Sequence, residues 1–168
     1  MRAGRPAPQA GYAPAVTAPR WTVRPPTRED FGAWRRLYAA YADFYAVEQS
    51  QEDAARVWDW IHDPGHEVEC LLLERDGRVL GLAHVREFAR PLASSAGGFL
   101  DDLFIDAEAR GAGGVDALMA ALRQRGAERG WTVIRWITAD DNHRAQRVYD
   151  RVATRTRWVT YDMDVEKP

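Results

Sequence analysis

Apolar and polar positions along this chain follow two periods, and the switches between them mark the elements. Residues 21–24 alternate, with Trp21 and Val23 against Thr22 and Arg24, and read as a short strand stopped by Pro25 and Pro26. Thr27, with Asp30 three residues on, has the pattern of a capping box. Phe31, Trp34, Leu37, Tyr38, Tyr41, Phe44 and Tyr45 then recur at spacings of three and four, which is one face of an amphipathic helix. Ser50 opens a second helix with Ala54, Val57, Trp58 and Ile61 on its apolar face, and Asp63-Pro64-Gly65 ends it. The period then drops to two. Residues 68–74 read as a strand, Asp76-Gly77 as a two-residue hairpin turn, and 78–88 as the return strand. A loop is expected over 90–98 and a strand over 99–105. A helix is expected over 111–129, closed by Gly130 as the glycine just past its end. A strand over 131–138, a helix over 142–152 and a last strand over 157–165 complete the series. The order β-α-α-β-β-β-α-β-α-β predicts an α/β (α+β) domain with a mixed central sheet. A hairpin-linked antiparallel meander leads into a parallel β-α-β unit with a right-handed crossover.

Composition narrows the setting. The chain has 168 residues, 46% of them hydrophobic and seven of them Trp, enough for one domain with a full core. Residues 1–20 stand apart, with four Pro, six Ala, two Gly and no apolar period. They are expected to be a disordered tail ahead of a single domain over 21–168. A net charge of −2 excludes a protein that wraps nucleic acid, so no nucleic-acid partner is expected. Cys70 is the only cysteine, which excludes an internal disulfide and a cysteine metal site and suits a reducing cytoplasm. No apolar run is long enough to span a membrane, and the first residues lack the apolar core of a secretory signal. The four His are scattered without metal-ligand spacing, so no metal is expected. Lys167 is the sole lysine among 23 Lys and Arg residues, a bias that codon usage explains.

Candidate chemistry sits at Gly111-Ala112-Gly113-Gly114, directly after a strand and directly before a helix. Such a turn leaves backbone N–H groups unpaired at a helix N-terminus, where the helix dipole favours phosphate oxygens, and Arg110 at its edge adds a full charge. The loop is not a Walker loop, which needs a Lys at its end. Nor is it a dinucleotide fingerprint, because Asp116 stands where the third Gly belongs.

The surroundings of this loop resemble the GCN5-related N-acetyltransferases. That family's acetyl-CoA loop reads Arg/Gln-x-x-Gly-x-Gly/Ala, which Arg110-Gly111-Ala112-Gly113-Gly114-Val115 matches at its first and fourth positions. It departs at the fifth and sixth, where Gly114 and Val115 replace an aliphatic residue and a Gly or Ala. Asn142, Ala145 and Tyr149 match the family's Asn-x-x-Ala-x-x-x-Tyr on the next helix, and Ala153-Thr154 stand where the family has Gly-Phe. Leu100-Asp101-Asp102 is similar to the Leu-Glu-Asp of diamine acetyltransferases, and the tract over 136–153 looks most like the yeast-type histone, polyamine and D-amino-acid branch.

The resemblance implies an acetyl-CoA-dependent N-acetyltransferase that acts by direct transfer in a ternary complex. Acetyl-CoA is the co-substrate. Pantetheine pairs with the backbone of Leu103, Phe104 and Ile105 as an added strand, in the gap between strands 99–105 and 131–138, and a backbone N–H there stabilises the oxyanion. Arg110, Gly111, Ala112, Gly113, Gly114 and Val115 hold the phosphates, and Asn142 and Ala145 lie on the cofactor side. Tyr149 is the general acid for the departing thiolate. Asp101 and Asp102 are the candidate bases; matching the family puts Asp101 on the acidic position, and alternation lets only one of them face the acceptor. Tyr45 and Glu48 are candidate acceptor contacts, because aromatic and acidic groups suit a cationic amine. The expected acceptor is a small-molecule amine, with a polyamine or amino acid ahead of a protein or peptide. A non-catalytic acyl-CoA-binding module is the alternative from another class. Relatives often pair through sheet edges, so a homodimer is a further expectation.

Overall fold

The computed structural model describes residues 21–165; the 1–20 stretch expected to be a disordered tail lies outside them. Strands β1 (Thr22–Arg24), β2 (Val68–Arg75), β3 (Arg78–Arg90), β4 (Ser95–Ile105) and β5 (Ile134–Arg135) form one sheet in that order. The first three junctions are antiparallel and β4–β5 is parallel, so the mixed sheet is as the alternation predicts. Helices α1 (Phe31–Phe44) and α2 (Gln51–His62) fall between β1 and β2, α3 (Gly114–Arg129) crosses from β4 to β5, and α4 (His143–Val152) follows β5.

The period of two along the strands divides the core between the faces. Leu72, Leu82 and Phe104 point to one side, where Trp34, Leu37, Ala54 and Trp58 of α1 and α2 bury them. Leu73, Ala83 and Ile105, each one residue further on, point to the other side and pack on Leu118, Met119 and Leu122 of α3. Arg24 ties β1 to the first turn. It donates to both Asp30 carboxylate oxygens and to Glu74, and these bonds hold the Asp30 carboxyl below the usual carboxylate range. Asp30 also accepts from the Thr27 N–H at 2.7 Å, as the capping pattern requires.

Four elements differ from the sequence expectation. The loop expected over 90–98 is mostly strand, because β3 and β4 keep pairing out to Arg90 and Ser95 around a short turn at Pro91–Ala93. The helix expected from Gly111 starts at Gly114, since Gly111 and Gly113 hold φ of +80° and +81°. The strand expected over 131–138 shrinks to two residues, paired with Gly98 and Phe99 of β4; before it the Thr132 N–H bonds only the Ala96 carbonyl, and after it Trp136 packs edge-on against Tyr149. The last strand, expected over 157–165, does not form. Residues 154–165 run on from α4 without a ladder partner among the described residues.

Candidate active site

The site originates in the short β4–β5 junction. The two strands pair at Gly98–Ile134 and Phe99–Arg135; β4 then continues to Ile105, while β5 stops. The backbone of Leu103, Phe104 and Ile105 therefore borders an open cleft of about 300 Å3. The loop and first turn of α3, the inner face of α4, and Tyr41, Phe44 and Tyr45 from the end of α1 make its other walls.

The glycine loop is shaped for an anion. Gly111 and Gly113 both adopt left-handed φ, which an L side chain rarely tolerates, and Gly113 is the N-cap of α3. The Ala117 N–H makes the first intrahelical bond, to the Gly113 carbonyl. The N–H groups of Gly114, Val115 and Asp116 precede that bond and lie along the cleft, at the positive end of the dipole. The departure at Gly114 has a steric reason: a Cβ there would fall 2.7 Å from Leu73 Cδ2. Val115 lines the cleft and also packs on the core. Ala112 does not line the cleft, and its carbonyl accepts from the Trp21 indole N–H at 2.6 Å. Arg75 caps that indole, 4.5 Å from the ring centroid. Arg110 folds inward, donating to the Ile105 carbonyl at 3.0 Å across the Phe104 ring.

The opposite wall is α4. Asn142 caps it, accepting from the Ala145 N–H at 3.1 Å, and Asn142, Ala145 and Tyr149 all line the cleft. Tyr149 is half-buried; burial first, and then the neighbouring Tyr45 phenol, push its hydroxyl above the ordinary phenol value.

Asp101 and Asp102 lie further back along β4 and do not line the cleft. A bulge separates them: Asp102 pairs with His84 and Leu100 with Val85, leaving Asp101 as the extra residue. Asp101 reaches Arg86 at 3.2 Å, yet burial outweighs that guanidinium and raises its carboxyl above the ordinary value. Asp102 turns toward α1. It accepts from His84 Nδ1 at 2.7 Å, and the Trp34 indole N–H donates to His84 Nε2 at 2.9 Å. An indole can only donate, so the imidazole proton sits on Nδ1 and points at Asp102. After burial, the Asp102 charge is the next cause that raises the phenols of Tyr38 and Tyr41. Tyr41 thus bridges the acidic wall and the cleft. Glu48 is exposed on the α1–α2 connection, away from the cleft.

The cleft therefore gathers Leu103, Phe104, Ile105, Arg110, Gly111, Gly113, Gly114, Val115, Asn142, Ala145, Tyr149 and Tyr45, and leaves out Ala112, Glu48 and the two aspartates. Sequence reasoning missed Arg144 and Arg151, which line it with Val148. Their positions recur at the helical spacing of that wall, a signal that was there to read. It also missed the His84–Trp34 pair, whose members are 50 residues apart.

Comparison with known proteins agrees with this geometry. Residues 34–153 match the model of the Acetyltransferase (GNAT) family. Over 135 residues the chain is 27% identical to the D-amino-acid N-acetyltransferase HPA3 of Saccharomyces cerevisiae, covering 79% of this chain and 84% of that protein. The fold is similar to the aminoglycoside N-acetyltransferase AAC(6')-Iy in complex with CoA, with TM-score 0.76, 18% identity, and 89% and 98% of the two chains covered. It is also similar to the ribosomal-protein-alanine N-acetyltransferase of Brucella melitensis biovar Abortus 2308, with TM-score 0.73, 19% identity, and 87% and 99% covered. With the split sheet, the glycine loop at a helix start and the tyrosine helix meeting in one cleft, this chain belongs to the GNAT acetyltransferase family.

Proposed function

We propose that this acetyltransferase moves the acetyl group of acetyl-CoA to the primary amine of a small cationic molecule, an amino acid or polyamine, by direct transfer in a ternary complex. The observation that supports it best is the cleft at the β4–β5 split, where a strand edge, an anion-binding helix start and a half-buried tyrosine converge. Pantetheine lies along Leu103, Phe104 and Ile105 as an added strand. The N–H groups of Gly114, Val115 and Asp116 hold the phosphates, with Arg110, Arg144 and Arg151 as the nearby charges.

Two acids take two roles. An ammonium has no lone pair, so the amine must lose a proton before attack. Asp101, whose burial raises its basicity, receives that proton directly or through water. Asp102, held by His84 against the aromatic side of α1, is a positioning residue that orients the acceptor side. The amine then adds to the thioester carbonyl, and a β4 backbone N–H stabilises the oxyanion. The tetrahedral intermediate collapses with C–S cleavage, and Tyr149 gives its proton to the departing thiolate. Its raised affinity for that proton keeps it loaded at neutral pH. Cys70, buried with its thiol pushed upward by burial, has no part in this chemistry and fits a reduced, cytoplasmic setting.

Release of CoA measured across a panel of amino acids, polyamines and peptides tests the reading. Turnover on small amines is expected. Tyr149→Phe should lower kcat about 10²–10⁴-fold, the range for a positioned general acid, with acetyl-CoA affinity kept. Tight acetyl-CoA binding with no turnover on any amine would sink the enzyme reading in favour of a binding module. Turnover confined to peptides would replace the small-molecule acceptor.

A further inference from the structure

Among the described residues, His84 is the one buried polar or charged side chain, 2% exposed. It lies where α1 meets the sheet, beside an apolar layer of Trp34, Leu37, Leu72, Leu82 and Phe104. An imidazole there costs free energy unless both ring nitrogens are bonded. Both are, to Trp34 at 2.9 Å and to Asp102 at 2.7 Å. An apolar side chain would fill the place without that requirement, so the imidazole needs a reason in what it holds.

What it holds lies under α1. Tyr38 stands edge-on to the His84 ring, with centroids 5.1 Å apart. Tyr41, three residues on, packs 5.9 Å from the Phe104 ring. Asp102 is the ladder partner of His84 and stands two positions before Phe104 on the same side of β4. Its carboxylate acts on both phenols. Tyr38 is bonded to Gln49 and does not line the cleft. Tyr41 does line it. Burial first, then the Asp102 charge, the Tyr45 phenol and a hydrogen bond to Asp102 raise the Tyr41 hydroxyl above the ordinary phenol value.

The chain of bonds has one direction, and its buried end fixes it. An indole N–H can only donate, so His84 Nε2 accepts and Nδ1–H donates. An ionised carboxylate can only accept, so Asp102 takes the His84 proton on one side and the Tyr41 hydroxyl on the other. The single Tyr41 proton is thereby committed away from the cleft. What Tyr41 presents to the cleft is its oxygen, as an acceptor.

We infer that Tyr41 receives the amine of the acceptor substrate on its phenol oxygen, and that Trp34, His84 and Asp102 are positioning residues that keep that oxygen free of its own proton. An ammonium, with N–H donors only, matches such an oxygen. The Tyr45 ring, edge-on to Tyr41 at 5.1 Å, adds a second aromatic group beside the charge. Tyr41 keeps its proton throughout, so it binds and turns the amine without deprotonating it. The inference rests on the acetyl-transfer reading for the identity of its ligand as an amine.

Calorimetric titration of D-alanine, and separately of spermidine, into enzyme saturated with CoA reads amine binding without turnover. Tyr41→Phe should weaken whichever amine the parent binds about 10–100-fold, the worth of one hydrogen bond to a charged group, with CoA affinity and Tm kept. His84→Leu leaves Asp102 without its donor and should weaken the same amine by a similar factor. His84→Gln has an amide that can donate to Asp102 and accept from Trp34, and should restore most of the affinity. A purely structural role would lower Tm in His84→Leu and leave amine affinity unmoved in Tyr41→Phe, which overturns the inference. So does a parent that binds neither amine, or a Tyr41→Phe variant that loses CoA and amine equally. Where His84→Leu fails to fold, Tyr41→Phe and His84→Gln still decide. Turnover with an unchanged amine KM in Tyr41→Phe overturns this inference and leaves the transfer reading standing. Amine binding that depends on Tyr41 in a parent without turnover supports this inference and overturns the transfer reading.

Discussion

The two walls that serve β4 are built by opposite means. The proposed donor wall, from Arg110 to Val115 and the start of α3, offers backbone N–H groups, and its shape depends on two glycines at positive φ. The proposed acceptor wall, from Asp101 and Asp102 across to His84, Trp34 and Tyr41, offers side chains, and its shape depends on strand register and a bulge. A backbone site is sensitive to any residue that adds a Cβ and indifferent to most changes of polarity. A side-chain site has the reverse sensitivity. The first is suited to a ligand part that never changes, the phosphates; the second to a part that differs between enzymes, the amine.

The sharpest way to break this contrast is at Asp101. Asp101→Asn removes the proposed base and should lower kcat about 10²-fold or more with the acetyl-CoA KM unchanged. The parent enzyme should lose kcat/KM on acidification, because the base must be ionised to accept the proton. Burial raises that carboxyl, so the loss should begin above the ordinary Asp value of about 3.9; a rate that holds flat down to that value would remove Asp101 as the base. On the donor wall, Gly113→Val forces a branched residue into left-handed φ. That costs about 1–2 kcal/mol, so acetyl-CoA should bind roughly ten-fold more weakly while the amine KM stays put. Calorimetric titration reads the first quantity and steady-state kinetics the second. Equal changes in both substrates would erase the distinction between the walls. The smallest effect is expected at Trp21→Phe, which keeps the ring and deletes the bond to the Ala112 carbonyl. One hydrogen bond of about 1 kcal/mol predicts a few-fold rise in the acetyl-CoA KM with kcat kept; no rise would mean that the loop holds its shape unaided.

The same contrast explains what could be read from the chain alone. Gly113 and Tyr149 were legible because a positive-φ helix start and a helix-borne phenol each leave a short local spacing. The aromatic face of α1 was legible because its period is local too. The walls made by register were not. Nothing local to His84 announces that it meets Asp102 across a ladder and Trp34 from a helix 50 residues earlier. Alternation implied that Asp101 and Asp102 face opposite sides of a regular strand, whereas the bulge makes Asp101 an extra, unpaired residue. The extent of β5 was equally hidden. Residues 131–138 have strand-forming side chains throughout, but ladder length is set by the neighbour, and only Ile134 and Arg135 pair in register with β4. The period over 157–165 is sound as a pattern, and it meets no ladder partner among the described residues.

The indole of Trp21 has a consequence for how the chain can be handled. It sits one residue before β1, and it holds the glycine loop from behind through the Ala112 carbonyl. Residue 21 is thereby a lever on the proposed donor wall. Bulk or charge added at this position is therefore expected to reach the loop through that hydrogen bond, and to show first as a weaker grip on the acyl donor.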